Sequence, residues 1–258
     1  MKLSEEMKNK TLLSFELFPP KTEKGLQNLP GTIDHLMKYN PSYISCTYGA
    51  GGGNVGANRE VCQMIKNAGT TPVTHFTVIK NTKEGIKEQL DQYLADGVDH
   101  MLALRGDIPL GETTTCGDFD YATDLVKFVR DTYGDKFEIA VAGSPEGHIS
   151  CRSLESDIAV LKQKQDNGAD YIMTQLCWDM EQFKYWLDAI RKAGITMPVD
   201  VGVMPILDQA ATINMALSRN GCVMDRELSR MISRHWLFPN PFNAKDADGK
   251  PFDMFYED

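Results

Sequence analysis

Apolar residues recur along this chain in short β-branched runs, and the longer stretches between them carry helical spacing. The first run, Leu12–Phe18, is stopped by Pro19-Pro20. A helical stretch follows, which Pro30-Gly31 is expected to interrupt before Thr32–Tyr39. The pattern then repeats. Strands are expected at Tyr43–Thr47, Pro72–Val78, His100–Leu104, Phe137–Ala142, Tyr171–Leu176 and Val199–Met204. Helices are expected at Asn58–Asn67, from Thr82 to about Ala95, and at about Tyr121–Tyr133, Ser153–Asn167 and Met180–Ala193. Two further helical runs fall at about Gln209–Ser218 and Arg226–Trp236, and the tail from Phe238 to Asp258 reads as irregular.

Strands alternating with helices mean βαβ units and a parallel sheet. These strands are apolar on both faces, as a sheet covered by helices on one side and closed on the other requires. Seven consecutive units without a break in composition favour one domain over residues 1–258, an α/β fold of the (β/α)8 TIM-barrel type. Such a barrel closes with eight strands, so the last strand is expected to be missing and the chain to be C-terminally truncated. A doubly wound sheet is the alternative.

Charge narrows the partners. The chain of 258 residues has 27 basic and 36 acidic residues, for a net charge of −9. The basic residues are scattered, which argues against binding nucleic acid or an anionic membrane. No window holds the ~18 unbroken apolar residues of a membrane span. The opening MKLSEEMKNK carries both signs of charge, so no secretory signal is expected and a cytoplasmic location is. Cys46, Cys62, Cys116, Cys151, Cys177 and Cys222 show no C-x-x-C spacing, which fits free thiols rather than a zinc knot. No cluster has metal-ligand spacing, and no metal is expected.

In either architecture ligands bind at the carboxyl ends of the strands. Glu16 shares a strand face with Ser14 and Phe18. A glutamate facing into a barrel would be desolvated and its pKa raised, which suits a general acid. A glutamate paired with a lysine on the outer face is the plainer reading. Asp107 follows Arg105-Gly106, where glycine permits close backbone approach by a ligand; an Arg–Asp pair or a helix cap is the alternative. His75 and Thr77 end the third strand, where a buried core histidine is the commoner meaning. The glycine-rich loop at 49–56 lacks the Lys-Ser/Thr of a phosphate loop, so flexible access is as good a reading. Asp157 and Lys164, seven apart on a helix after His148, could hold a ribose and pyrophosphate, or form a solvated face. Gln175 ends the sixth strand.

Taken together and in order, these strand ends resemble the methylenetetrahydrofolate reductase family. The segments are SFELFPPKT at 14–22, TYGAGG at 47–52, HFT at 75–77, ALRGD at 103–107, YATDL at 121–125, PEGH at 145–148 and TQ at 174–175. The resemblance implies an eight-stranded barrel. It implies a bacterial-type, flavin-dependent enzyme that reduces 5,10-methylenetetrahydrofolate to 5-methyltetrahydrofolate with NAD(P)H, hydride passing through FAD. Glu16 matches the general acid, and Asp107 a catalytic aspartate near flavin and pterin. Gln175 and Asp107 match substrate contacts. Thr47, Tyr48, Ala50, His75, Arg105, Gly106, Asp107, Ala122, His148, Asp157 and Lys164 match FAD contacts. A homo-oligomer, and an iron–sulfur protein as electron donor, are the partners it admits.

The chain departs from the family at three places. Ser144 stands where an aromatic is common, and Val160 where a basic residue is expected, a phosphate contact Arg152 could supply. No segment matches the family's closing strand or the basic folate contact after it. That last departure supports an alternative: an incomplete flavin- or folate-binding barrel that acts as a subunit or remnant without turnover. A lyase or aldolase barrel with an active-site lysine is disfavoured, because no lysine ends any expected strand.

Overall fold

The computed structural model describes residues 2–20, 22–48, 55–108, 111–204, 212–213 and 228–231. Its centre is a parallel sheet of seven strands in chain order: β1 (Ser14–Leu17), β2 (Tyr43–Cys46), β3 (Thr71–Thr77), β4 (His100–Leu104), β5 (Glu138–Gly143), β6 (Tyr171–Thr174) and β7 (Val199–Asp200). Six helices connect or follow them: α2 (Glu23–Met37), α3 (Val55–Asn67), α4 (Lys83–Ala95), α5 (Ala122–Tyr133), α6 (Leu154–Asp166) and α7 (Met180–Lys192). A short helix, α1 (Leu3–Glu6), precedes the sheet. All seven expected strands are present within a few residues of their expected bounds. The expected helices after β7 and the irregular tail fall almost wholly outside the described residues, and 212–213 and 228–231 are helical.

Strand alternation sorts the side chains into two layers. Phe15 and Leu17, Ile44 and Cys46, Phe76, Met101 and Ala103, Ile139 and Val141, and Ile172 face the helices, where they pack with residues such as Val61, Ile65, Leu90, Val126 and Trp186. Tyr43, Val73, Leu102, Ala140 and Tyr171 face inward and form a second cluster with Leu3. A sheet with helices on one face and a filled interior on the other is the barrel-type arrangement. The curl is held by a side-chain link between its ends: Asp200 on β7 accepts from Ser14 Oγ on β1 at 3.2 Å and from the Tyr43 hydroxyl on β2. The outer layer is tight. A Cβ on Gly143 would sit 2.7 Å from Ile172 Cγ2 and 3.0 Å from Trp186 Cζ2, so glycine there lets the fully buried indole reach the sheet.

The caps expected at Thr82 and Ser153 are in place: each hydroxyl accepts from the backbone N–H three residues on, at 3.1 Å and 3.2 Å. Pro30-Gly31 does not break the second helical stretch, contrary to expectation; α2 runs through both. Thr22 caps it, and Leu26, Leu29, Ile33, Leu36 and Met37 form one continuous stripe against the core. That burial outweighs the ~3 kcal/mol an internal proline costs.

The N-terminal ends of the strands are closed by α1. Glu138, which opens β5, accepts from the backbone N–H of Leu3 at 2.7 Å and of Ser4 at 2.8 Å, and from Ser4 Oγ at 2.5 Å. His100, which opens β4, lies with Nε2 3.0 Å from Glu138 and Nδ1 2.6 Å from Asp99. The opposite face, where the strands end, is left for ligands.

Candidate active site

The C-terminal ends of β1 and β3 bring Glu16 and His75 together. Glu16 Oε2 lies 3.6 Å from His75 Nε2. Burial pushes the His75 imidazole down to about 4, so the ring is neutral at pH 7 and the contact is not an ion pair. Burial also raises the Glu16 carboxyl above its usual value, and no cation beside it opposes that. The Glu16 side chain is still 46% exposed. It sits in the mouth with protein on most sides and an opening above, a position from which it can hold a proton and hand it to a ligand. His75 Nε2, and Thr77 Oγ1 two residues along the same face of β3, are both buried without a hydrogen-bond partner among the described residues.

The end of β2 is set by a residue the sequence reading passed over. Asn58 on α3 is fully buried; its Nδ2 donates to the carbonyls of Cys46 at 3.0 Å and Thr47 at 3.1 Å. Its Oδ1 accepts from Thr74 Oγ1 at 2.8 Å and the Tyr93 hydroxyl at 2.7 Å. Those bonds fix where Thr47 leaves the sheet. A polar residue opening a helix is common, so only the partners, 11 to 35 residues away, mark Asn58 as special. Tyr48 packs against Phe76 and donates to Gln89 Oε1 at 2.7 Å, so its hydroxyl serves the helix layer; burial pushes its pKa up to about 12. Ala50 and the rest of 49–54 lie outside the described residues.

After β4, Gly106 has φ +85°, and a Cβ there would lie 3.1 Å from Ile79 Cβ and from Thr77 Cβ. Arg105 is part-buried and Asp107 is exposed at the mouth. Gly106→Ala is expected to cost about 1–3 kcal/mol in strain and overpacking, read as a lower urea midpoint. An unchanged midpoint would mean the loop relaxes freely.

After β5, His148 N–H donates to Asp157 Oδ2 at 3.2 Å, and His148 Nδ1 accepts from Ser150 N at 3.1 Å. Burial lowers the His148 pKa against the pull of Asp157, with Arg105 and Lys164 lowering it further. The four groups therefore share one electrostatic neighbourhood. Asp157 and Lys164 do not form a solvated stripe: Lys164 Nζ turns to the Ala142 carbonyl at 2.9 Å, and burial lowers its pKa. Val160 between them is exposed, as is Arg152. Ala122 begins α5, whose first turn is tied down by Asp124 Oδ2 accepting from Tyr121 N at 2.9 Å. Gln175 follows β6, with its N–H donating to the Gly143 carbonyl at 2.8 Å. The mouth thus combines a proton-bearing carboxyl, a neutral imidazole, an exposed carboxylate, and a partly buried cationic corner.

Comparison with known proteins agrees. A family profile described as methylenetetrahydrofolate reductase matches residues 2–228. Methylenetetrahydrofolate reductase (NADH) 1 of Arabidopsis thaliana is 38% identical over 219 residues, 80% of this chain and 37% of the relative. The 5,10-methylenetetrahydrofolate reductase of Escherichia coli is 34% identical over 202 residues, 78% of this chain and 67% of the relative. The chain thus spans little more than a third of the plant relative's length. Among solved structures, an uncharacterized Clostridium thermocellum protein that binds two copies of 5-methyl-5,6,7,8-tetrahydrofolic acid superposes with a TM-score of 0.67 at 14% identity, covering 93% of this chain and 82% of that one. A 2,3-dimethylmalate lyase superposes with a TM-score of 0.53 at 11% identity, covering 95% and 88%. At such identities both are likenesses of fold.

Proposed function

The chain belongs to the methylenetetrahydrofolate reductase family, and from that premise we propose that it reduces 5,10-methylenetetrahydrofolate to 5-methyltetrahydrofolate with NAD(P)H as the source of electrons and FAD as the cofactor. The observation that carries this reading is Glu16, a carboxyl raised in pKa at the barrel mouth beside an uncharged His75. A charged imidazole there would draw the proton off Glu16; a neutral one leaves it in place for the folate nitrogen that must be protonated as the ring opens.

The residues present fit FAD. Two buried polar atoms on β3 lack partners among the described residues, Gly106 leaves a side-chain-free backbone beside them, and Arg105 and Lys164 supply positive charge for phosphates. When bound, FAD supplies the hydride carrier between nicotinamide and folate. Everything else is asked of the chain. Asp107 takes donors of the pterin and places a negative charge near the flavin. Gln175 contacts the folate. His148 and Asp157 hold the ribose side, and Thr47, positioned by Asn58, lines the ring with the backbone of Tyr48.

Purified protein is expected to be yellow, to bleach on anaerobic addition of NADH or NADPH, and to regain colour on addition of methylenetetrahydrofolate. Protein that takes up no added FAD contradicts the reading. Protein that bleaches but is never reoxidised by folate is instead a flavin-binding barrel without turnover.

A further inference from the structure

We propose that Thr77 contacts the isoalloxazine ring of FAD through its hydroxyl, an inference that rests on the flavin reading above. Val73, His75 and Thr77 alternate on the inner face of β3, and Thr77 is the last of them, opposite Leu104 in the sheet register. It is 2% exposed, and Oγ1 has no hydrogen-bond partner among the described residues. Thr74, on the opposite face of the same strand, shows what a structural threonine does here: it donates to Asn58 Oδ1 at 2.8 Å. A buried hydroxyl left unpaired costs stability, so its retention needs a partner that arrives from outside the chain.

The surroundings define that partner. A side chain at Gly106 would come within 3.1 Å of Thr77 Cβ, so bare backbone borders the hydroxyl and a flat ring can lie against it. A second unpartnered atom, His75 Nε2, sits two residues back on the same face, about 6.6 Å along the strand. Polar groups spaced along one wall match a planar heterocycle with donors and acceptors spread along its edge. Depth favours the resident flavin over the visiting folate: Thr77 is almost fully buried, whereas the Glu16 side chain is 46% open at the mouth.

The test compares the full-length wild type, Thr77→Val and Thr77→Ser, each stripped of flavin, by FAD fluorescence titration and by the melting temperature of the apoprotein. Valine keeps the shape and removes the hydroxyl. Thr77→Val is expected to weaken FAD binding about five- to ten-fold, while its apoprotein melts no lower than wild type and up to about 2–4 °C higher. Thr77→Ser is expected to bind FAD within about twofold of wild type. A structural role moves both readouts down together; only a ligand contact moves them apart. Equal FAD affinity in wild type and Thr77→Val overturns the proposal and leaves the flavin reading standing. A lower apoprotein melting temperature for Thr77→Val also overturns it, because the hydroxyl then has a partner inside the chain. Wild type that binds no FAD overturns both.

Discussion

Glu16→Gln is expected to lose about 10²- to 10⁴-fold in the rate at which methylenetetrahydrofolate reoxidises the reduced enzyme, the range a positioned general acid contributes. The amide keeps the shape and cannot give up a proton on demand. Reduction by NAD(P)H needs no proton from this position, so that half-reaction is expected to stay within about an order of magnitude of wild type. Anaerobic stopped-flow separates the two. The pH dependence carries a sign as well. The active form is the protonated carboxyl, so folate reduction falls as pH rises through the Glu16 pKa, which burial places above the ordinary 4.5. His75, held down to about 4, stays neutral through that range and adds no limb of its own. Equal losses in both half-reactions would place the defect in the architecture of the site rather than in proton donation.

Glu138→Ala is expected to lower stability by about 3–5 kcal/mol, the cost of stripping a buried ion pair of one partner. The Glu138 side chain is 2% exposed and the His100 side chain 12%. Burial alone would raise the Glu138 pKa, but hydrogen bonds from His100, from Ser4 and from the Leu3 backbone hold it down to about 2. Burial alone would depress His100; bonds to Asp99 and Glu138 outweigh it and push the ring up to about 9. The linkage follows from those directions. The Glu138 contribution is present above about 4.5 and is lost as pH falls toward 2, and the His100 contribution is present below about 6.5 and is lost as pH rises through 9. Wild-type urea midpoints are therefore expected to lose this support on both the acid and alkaline sides, and Glu138→Ala to flatten both losses. The variant also frees Leu3 and Ser4, so amide exchange at residues 3–7 is expected to accelerate. An unchanged midpoint would mean that α1 contributes nothing to closing the barrel.

The strands were legible because each is a short β-branched run ended by turn residues, and because parallel strands place all their ends on one face. Glu16 could be found that way: alternation put it with Ser14 on the inner face, where the structure has it. Position along one element decided little elsewhere. Asp157 and Lys164 share a helical face, yet one bonds back to His148 and the other tucks under Ala142. Tyr48 carries a polar tip, but that tip turns to Gln89 in the helix layer. The α1 helix has only four residues of mixed polarity, and its anchor Glu138 lies 135 positions away, so local pattern contains no trace of it. The same holds for Asn58. Pro30 misled for the reverse reason: its local penalty is real, and the apolar stripe of α2 overrides it.

The central claim is that Glu16 keeps its proton at the barrel mouth, and infrared difference spectroscopy of the flavin-loaded protein tests it directly. The protonated-carboxyl C=O band that vanishes in Glu16→Gln is followed against pH. A band that persists well above the ordinary glutamate value of 4.5 is the predicted result. A band already lost at or below that value would mean that Glu16 enters the reaction as a carboxylate, which contradicts the account.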